Sequence, residues 1–223
     1  MRCERFIRGE HPVKLFHVLL ASVLLLSTPH AIAAPEGSAS ALIEATSNRI
    51  LTQIKERRDE FKANDAELQR FVREEMNQVL DQAYTARLVL GLHSRSASPA
   101  QIDAFGKALS GNLNRRYAKA LLEVDGDTKV KVLGETALRG GKIIRAKTEV
   151  VRSSGAPVAV DYLFRDVNNE WRAFDLIVEG ISYVQTFRSQ FDPLIREKGL
   201  DQVTNDLQEG RIEVDTETHD SSH

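Results

Sequence analysis

Few residues in this chain have the type and spacing for chemistry. Glu74 and Glu75 are adjacent, and Asp161 and Asp175 fall on neighbouring predicted strands, so either pair has the makings of a general acid and base. The structural alternative is a solvated helix face for the first pair and ion pairs with Arg165 or Arg172 for the second. His93 is the one histidine in the predicted folded region, since His11, His17 and His30 precede residue 34 and His219 and His223 lie in an acidic tail; a histidine-based metal cluster lacks its ligands. There is no His-Glu-x-x-His, Gly-x-Ser-x-Gly, P-loop or Gly-x-Gly-x-x-Gly, so the common routes to metal, nucleophilic and nucleotide chemistry lack their residues. We expect a protein that is not an enzyme. What stands out is apolar. An extended run with Trp171, Phe174, Leu176 and Val178 passes through Glu179-Gly180 into Ile181, Val184, Phe187, Phe191 and Leu194 at helical spacing. Such a stretch reads as the wall of an apolar container.

The ends bound where that container works. Arg2, Arg5, Arg8 and Lys14 precede an apolar run, Leu15 to Leu26, and then Ala31-Ile32-Ala33-Ala34-Pro35. A basic flank, a core too short to span a bilayer and a small-residue end define a secretory signal peptide over residues 1–33, cleaved between Ala33 and Ala34, which leads the chain to the periplasm. Its removal takes four of 30 Lys/Arg and two of 32 Asp/Glu, leaving a formal charge of −4. That balance argues against a nucleic-acid groove, which needs clustered cationic charge. The single cysteine, Cys3, leaves with the signal, so the remaining chain folds without disulfides and has no thiol nucleophile.

After a flexible leader, Leu42, Ile43, Ile50, Leu51, Ile54 and Phe61 trace a helical stripe. Asn64 or Asp65 caps a second helix with Leu68, Phe71, Val72, Met76, Val79 and Leu80 on its apolar face. Ala83 to Gly91 closes on a glycine suited to a helix C-terminus. Ser98-Pro99 supplies the cap and first-turn proline for a helix carrying Ile102, Phe105, Leu109, Leu113, Tyr117 and Leu121. From Thr128 the period drops to two, and four strands follow, the third with Val158, Val160, Tyr162 and Phe164 and the fourth entered through a tight Asn168-Asn169 turn. The last helix, from Ile181, meets a kink or restart at Asp192-Pro193 and ends at Gly199, before a short helix from Asp201. The chain reads as α+β: a helical N-terminal half, a four-stranded antiparallel meander and C-terminal helices in one domain, 34–209, with residues 210–223 a disordered acidic tail.

Three strings carry a further signal: FVREEMNQVLDQAYTARLVLG (Phe71 to Gly91), Tyr117-Ala118-Lys119-Ala120-Leu121, and WRAFDLIVEGISYVQTFRSQF (Trp171 to Phe191). In this order and spacing they resemble the MlaC family of the Mla lipid-transport pathway, also called the toluene-tolerance family, over nearly all of the chain after residue 33. The turn Asn168-Asn169-Glu170 stands where the family more often has an Asp-Gly-like pair. The resemblance implies a mixed helix and antiparallel-sheet fold that encloses phospholipid tails and ferries the lipid between the membranes of a Gram-negative envelope. Its partners would be an outer-membrane lipoprotein complex with porin and an inner-membrane ABC transporter complex, with phospholipid as cargo and no cofactor. Two acyl chains with about 30 methylenes between them represent about 24 kcal/mol of hydrophobic transfer, at about 0.8 kcal/mol each, and a carrier must shield most of it. On this reading Tyr162, Phe164, Trp171, Phe174, Leu176 and Val178 line the container from the sheet, and Met76, Leu80, Tyr84, Leu88, Tyr117, Tyr183 and Phe187 from the helices. For each, ordinary core is the alternative. Trp171 and Phe174 differ by an odd number and face opposite sides unless a bulge intervenes. Arg87 and Arg188 are candidates for a phosphate contact at the mouth, with a structural ion pair as the alternative. A periplasmic chaperone or lipoprotein carrier, and an enzyme acting on lipids, are the competing functions.

Overall fold

The structure, a computed structural model, describes residues 37–214; the expected signal peptide and residues 215–223 lie outside the described residues. Helix α1 (Ala39–Glu56) starts where the Ser38 hydroxyl accepts the Ala41 amide, and a short α2 (Arg58–Ala63) continues it beyond a break at Arg57. Asn64 caps α3 (Asp65–Val79) through the Glu67 amide. Asp81 caps α4 (Gln82–Leu90), which ends at Gly91 with φ 56° and ψ −119°, a conformation that favours glycine. A 3₁₀ turn (Gly91–Arg95) leads to α5 (Pro99–Tyr117), whose start is a full capping box: Ser98 receives the Gln101 amide and the Gln101 side chain receives that of Ser98.

The sheet is antiparallel and ordered as it is made: β1 (Lys129–Leu138), β2 (Ile143–Val151), β3 (Val158–Val167), β4 (Glu170–Val178) and β5 (Ile181–Ser182). It has five strands where alternation predicts four. Glu179 and Gly180 both take positive φ, making a two-residue turn that pairs Val178 with Ile181 before the helix begins. Helix α6 (Tyr183–Lys198) therefore starts two residues later than its apolar spacing suggests, capped by the Ser182 hydroxyl, and runs unbroken through Pro193. The turn at Asn168-Asn169 is as expected, with φ of 57° and 65° and a direct Val167–Glu170 pairing. Gly199 separates α6 from α7 (Leu200–Gln208).

Three packed layers result. One joins α4, α5, α6 and α7 around Phe105, Phe187 and Phe191; a second seats α1 on the sheet through Ile43, Ile144, Ala146 and Phe164; a third closes α1 to α3 around Ile54, Phe61, Leu68 and Phe71. The segment after α7 joins the first layer, although it falls within the stretch whose composition reads as a tail. Val214 is fully buried, and Asn112 donates to the Ile212 carbonyl at 2.8 Å.

The corner between α3 and α4 ties helices to sheet. Leu80 bridges Ala173 in parallel, the Asp81 amide donates to the Ala173 carbonyl at 2.7 Å, and the Thr85 hydroxyl donates to the Phe174 carbonyl at 3.0 Å. Asp81 also accepts from the Tyr84 amide at 3.0 Å and from Arg165 at 2.6 Å, and the Arg165 guanidinium lies 4.3 Å from the Tyr84 ring centre. Asp81→Ala should cost about 2 kcal/mol in urea unfolding, exceeding the roughly 1 kcal/mol of a lost cap because Arg165 loses its partner too. Asp81→Asn should recover the cap share alone, and a fully wild-type midpoint for Asp81→Ala would show that this corner does not hold the fold.

Candidate functional site

Strand register decides which side chains share the face that α1 covers. Cross-strand pairs Ile144–Phe164, Ala146–Tyr162, Thr148–Val160, Tyr162–Leu176 and Val160–Val178 place these residues on one face. Between Leu163 and Phe164 the register on β4 jumps from Asp175 to Ala173, so Phe174 is an extra residue in a bulge. The bulge settles the parity of the fourth strand. Trp171 and Ala173 lie on the same face as Leu176 and Val178, while Phe174 packs edge-on against Tyr84 with ring centroids 5.2 Å apart.

This face is deeply covered at one end and incompletely covered at the other. Ile144, Ala146, Phe164 and Ala173 are buried beneath α1, but Tyr162, Leu176, Val178, Val150 and Val158 are only half-buried although large and apolar. A groove of about 480 Å³ opens at the covered end, between the first turn of α1 and the β3–β4 hairpin. Leu42 and Trp171 line it and also pack on the buried layer; Gln78, Glu170 and Arg172 stand at its rim. Arg172 is held there by the carbonyls of Asn77 and Gln78 and by Glu170.

The structure brings the sheet-side candidates other than Phe174 onto one face, turns Phe174 away toward Tyr84, and disperses the helical ones. Tyr162, Phe164 and Trp171 meet in the layer under α1, with Leu176 and Val178 continuing the same face. Leu88, Tyr183 and Phe187 pack in the separate layer among α4, α5 and α7. Leu80 sits beside Ala173, Tyr84 against Phe174, and Met76 is 41% exposed on α3. The Tyr117 hydroxyl donates to the Val214 carbonyl at 3.3 Å, which serves the segment after α7. Sequence reasoning missed α1 as a wall: Leu42 and Ile43 were legible as an apolar stripe, but nothing local says that it covers the sheet.

Among the described residues, neither arginine candidate makes the ion pair offered as its alternative. Arg87 is exposed on α4. Arg188 reaches from α6 across Gly91 and donates two guanidinium N–H groups to the Leu88 carbonyl, one at 2.8 Å, tying α6 to the C-terminal turn of α4. A Cβ at Gly91 would lie 3.2 Å from Arg188 Nε, so glycine serves both the close approach and the backbone conformation.

The carboxylates named as candidate acids and bases each have a structural partner. Glu75 is buried against Arg49 at 2.7 Å, Glu74 meets Arg70, and Arg145 binds Asp161. Asp175 accepts from the Ser182 hydroxyl at 2.6 Å and from the Val184 amide at 3.0 Å, at the first turn of α6. Its pKa is raised by burial, against the lowering effect of those bonds and of the Leu176 amide. Burial also pushes the Tyr162 hydroxyl up to about 12. His93 Nε2 lies 2.9 Å from Asp192. Among the described residues no group of His, Cys, Asp and Glu could hold a metal ion, and no helix is long and apolar enough to cross a membrane.

A helix-covered antiparallel sheet with one partly open apolar face, its candidate carboxylates held by structural partners, belongs to the class of folds that can accommodate apolar molecules. A family model described as MlaC protein matches residues 44–209, and the chain belongs to the MlaC family. It is 22% identical over 200 residues to the intermembrane phospholipid transport system binding protein MlaC of Haemophilus influenzae, covering 88% of this chain and 93% of that protein. It is 25% identical over 189 residues to the toluene tolerance protein ttg2D of Pseudomonas putida, covering 82% of each. Its fold matches that of a phospholipid-binding protein from Ralstonia solanacearum, solved in complex with a phospholipid, with a TM-score of 0.69 at 24% identity over 77% of this chain and 96% of the other.

Two substitutions probe these polar anchors. Arg188→Ala should lower stability by about 2 kcal/mol, the range for hydrogen bonds from a charged donor; an unchanged denaturation midpoint would mean that the α4–α6 tie is replaced by water. For Asp175 the sign is set by its raised folded pKa. The cost of burying the charged form is present above that pKa and is relieved as pH falls through it toward the unfolded value. Asp175→Asn keeps the acceptor for Val184 and removes the charge, so its stability relative to wild type should be greatest near neutral pH and decline on acidification. A difference in melting temperature that stays flat with pH would overturn that assignment.

Proposed function

We propose that this protein is a periplasmic carrier that shields phospholipid acyl tails against the face of its sheet. Exported by the signal peptide of residues 1–33, it would move lipid between an outer-membrane lipoprotein–porin complex and an inner-membrane ABC transporter complex, and so maintain the lipid asymmetry of the outer membrane. The observation that carries this reading is the half-buried row Tyr162, Leu176 and Val178, continuous with the buried Phe164. Full burial of a Val or Leu side chain contributes about 1.5–3 kcal/mol, so a sheet that leaves such residues partly exposed forgoes a share of that stability, which an apolar ligand restores. The kinship with phospholipid transport and phospholipid-binding proteins supports the same cargo. Energy for net transfer then comes from partners or gradients, since the chain has no nucleotide-binding motif.

Native mass spectrometry of protein purified from a Gram-negative host tests the proposal. Stoichiometric diacyl phospholipid is expected. Bound polypeptide would favour a chaperone, and lyso-lipid accumulating with time would favour a hydrolase. Protein that is empty and also fails to take labelled phospholipid from vesicles would sink the carrier reading. Leu176→Glu, which sets a charge in the half-buried row, should cut retained lipid at least tenfold while the circular dichroism spectrum stays native.

A further inference from the structure

We infer that the layer between α1 and the sheet receives the ester-linked glycerol portion of the phospholipid, with the hydroxyls of Thr46 and Tyr162 donating hydrogen bonds to its carbonyl oxygens. The inference rests on the carrier reading above and deepens it. Thr46 lies one helical turn beyond Ile43 on the buried side of α1 and is 4% exposed, yet among the described residues its hydroxyl has no partner. Other covered threonines behave differently. Thr148 donates to the Val160 carbonyl, Thr204 to that of Leu200, and Thr186 to that of Ser182, the last two by the ordinary helical bond to the residue four back. Thr46 has the same option with the Leu42 carbonyl and does not take it.

Tyr162 stands on the facing sheet, flanked by Ala146 and Leu176 and packed beside Phe164 at 6.4 Å between ring centroids. Among the described residues its hydroxyl makes no hydrogen bond, and its ring belongs to the same apolar layer as Ile43 and Val79. A buried hydroxyl without a partner, as at Thr46, is costly, and Val would fill the same volume without that cost. Thr46 on the buried side of α1 and the half-buried Tyr162 on the sheet that α1 covers are thus two unpaired hydroxyls that a ligand bringing acceptors would satisfy.

The chemistry of that acceptor follows from what else is present. Among the described residues the layer itself is apolar and brings no cation for a phosphate, and Arg49, partly exposed on α1, is already paired with Glu75 at 2.7 Å. Acyl tails carry no acceptor at all. Ester carbonyls are neutral, accept without donating, and lie where tails meet head group, so they match hydroxyl donors in an apolar layer. The rim of the groove, with Arg172 and Gln78, then lies on the head-group side.

The test compares transfer from vesicles of dioleoyl phosphatidylglycerol with transfer of its dialkyl ether analogue, which has the same tails and head group but no ester carbonyls. Wild type should hold the diester about tenfold more tightly. Thr46→Val with Tyr162→Phe should abolish that preference by weakening diester binding alone, while the lipid-free double variant melts at or above the wild-type temperature. Equal retention of diester and ether by wild type would overturn the hydroxyl assignment and leave the carrier reading standing. Failure to take up either lipid would instead overturn the carrier reading.

Discussion

The extra residue in β4 governs how this molecule is put together. Phe174 is inserted opposite Phe164, and the insertion has two effects at once. It shifts the alternation, so that Trp171 before it and Leu176 after it look to the same face. It also bends the strand edge and presents two successive carbonyls, those of Ala173 and Phe174, which the α3–α4 corner takes up through the Asp81 amide and the Thr85 hydroxyl. Remove the insertion and either Trp171 or the Leu176–Val178 pair leaves the apolar face, and the helical corner loses its register against the sheet. The bulge therefore fixes wall and frame together.

Around that frame the chain divides its apolar surface unequally. The helical layer holding Phe105, Phe187 and Phe191 is closed, with Phe105 and Phe191 in edge-on contact at 5.2 Å, and its polar ties such as Arg188 to the Leu88 carbonyl end on backbone. The sheet face differs, since Tyr162, Leu176 and Val178 are left partly exposed beside the buried Phe164 and its hydroxyls are unevenly satisfied. The first layer and the α1–α3 layer of Phe61 and Phe71 are closed apolar cores separate from that face. That separation allows the sheet face to be less than optimally packed without unfolding the whole.

Local patterns were the readable part of this fold. Alternation in Ile144–Val150 and Val158–Phe164, the Asn168-Asn169 turn, the Ser98-Pro99 start and the Gly199 stop each depend on neighbours in sequence, and the elements stand where these signals put them. What could not be read depends on partners far along the chain. Asp81 and Arg165 are 84 residues apart, and Arg188 and Leu88 are 100 apart. No spacing rule links them. The same limit explains why the helical candidates were drawn toward the sheet: Tyr183 and Phe187 have the stripe of any core-facing helix, and only packing shows that their partners are α4, α5 and α7. The bulge lies between these cases, because the odd interval from Trp171 to Phe174 signals the conflict but not its position.

The seat of Val214 has a consequence for the order in which the molecule can be completed. Val203, Leu207 and Val214 fill the surface of α5 beside Asn112, whose side chain binds the carbonyls of Leu207 and Ile212. Synthesis runs from the N-terminus, so α5 and the whole sheet exist before any of these residues is available. Until then one side of α5 is an unfilled apolar surface. The segment from Val203 to Val214, made after α5 and the sheet, acts as the closing piece of the helical layer, and that layer stays unfinished for as long as the piece is withheld.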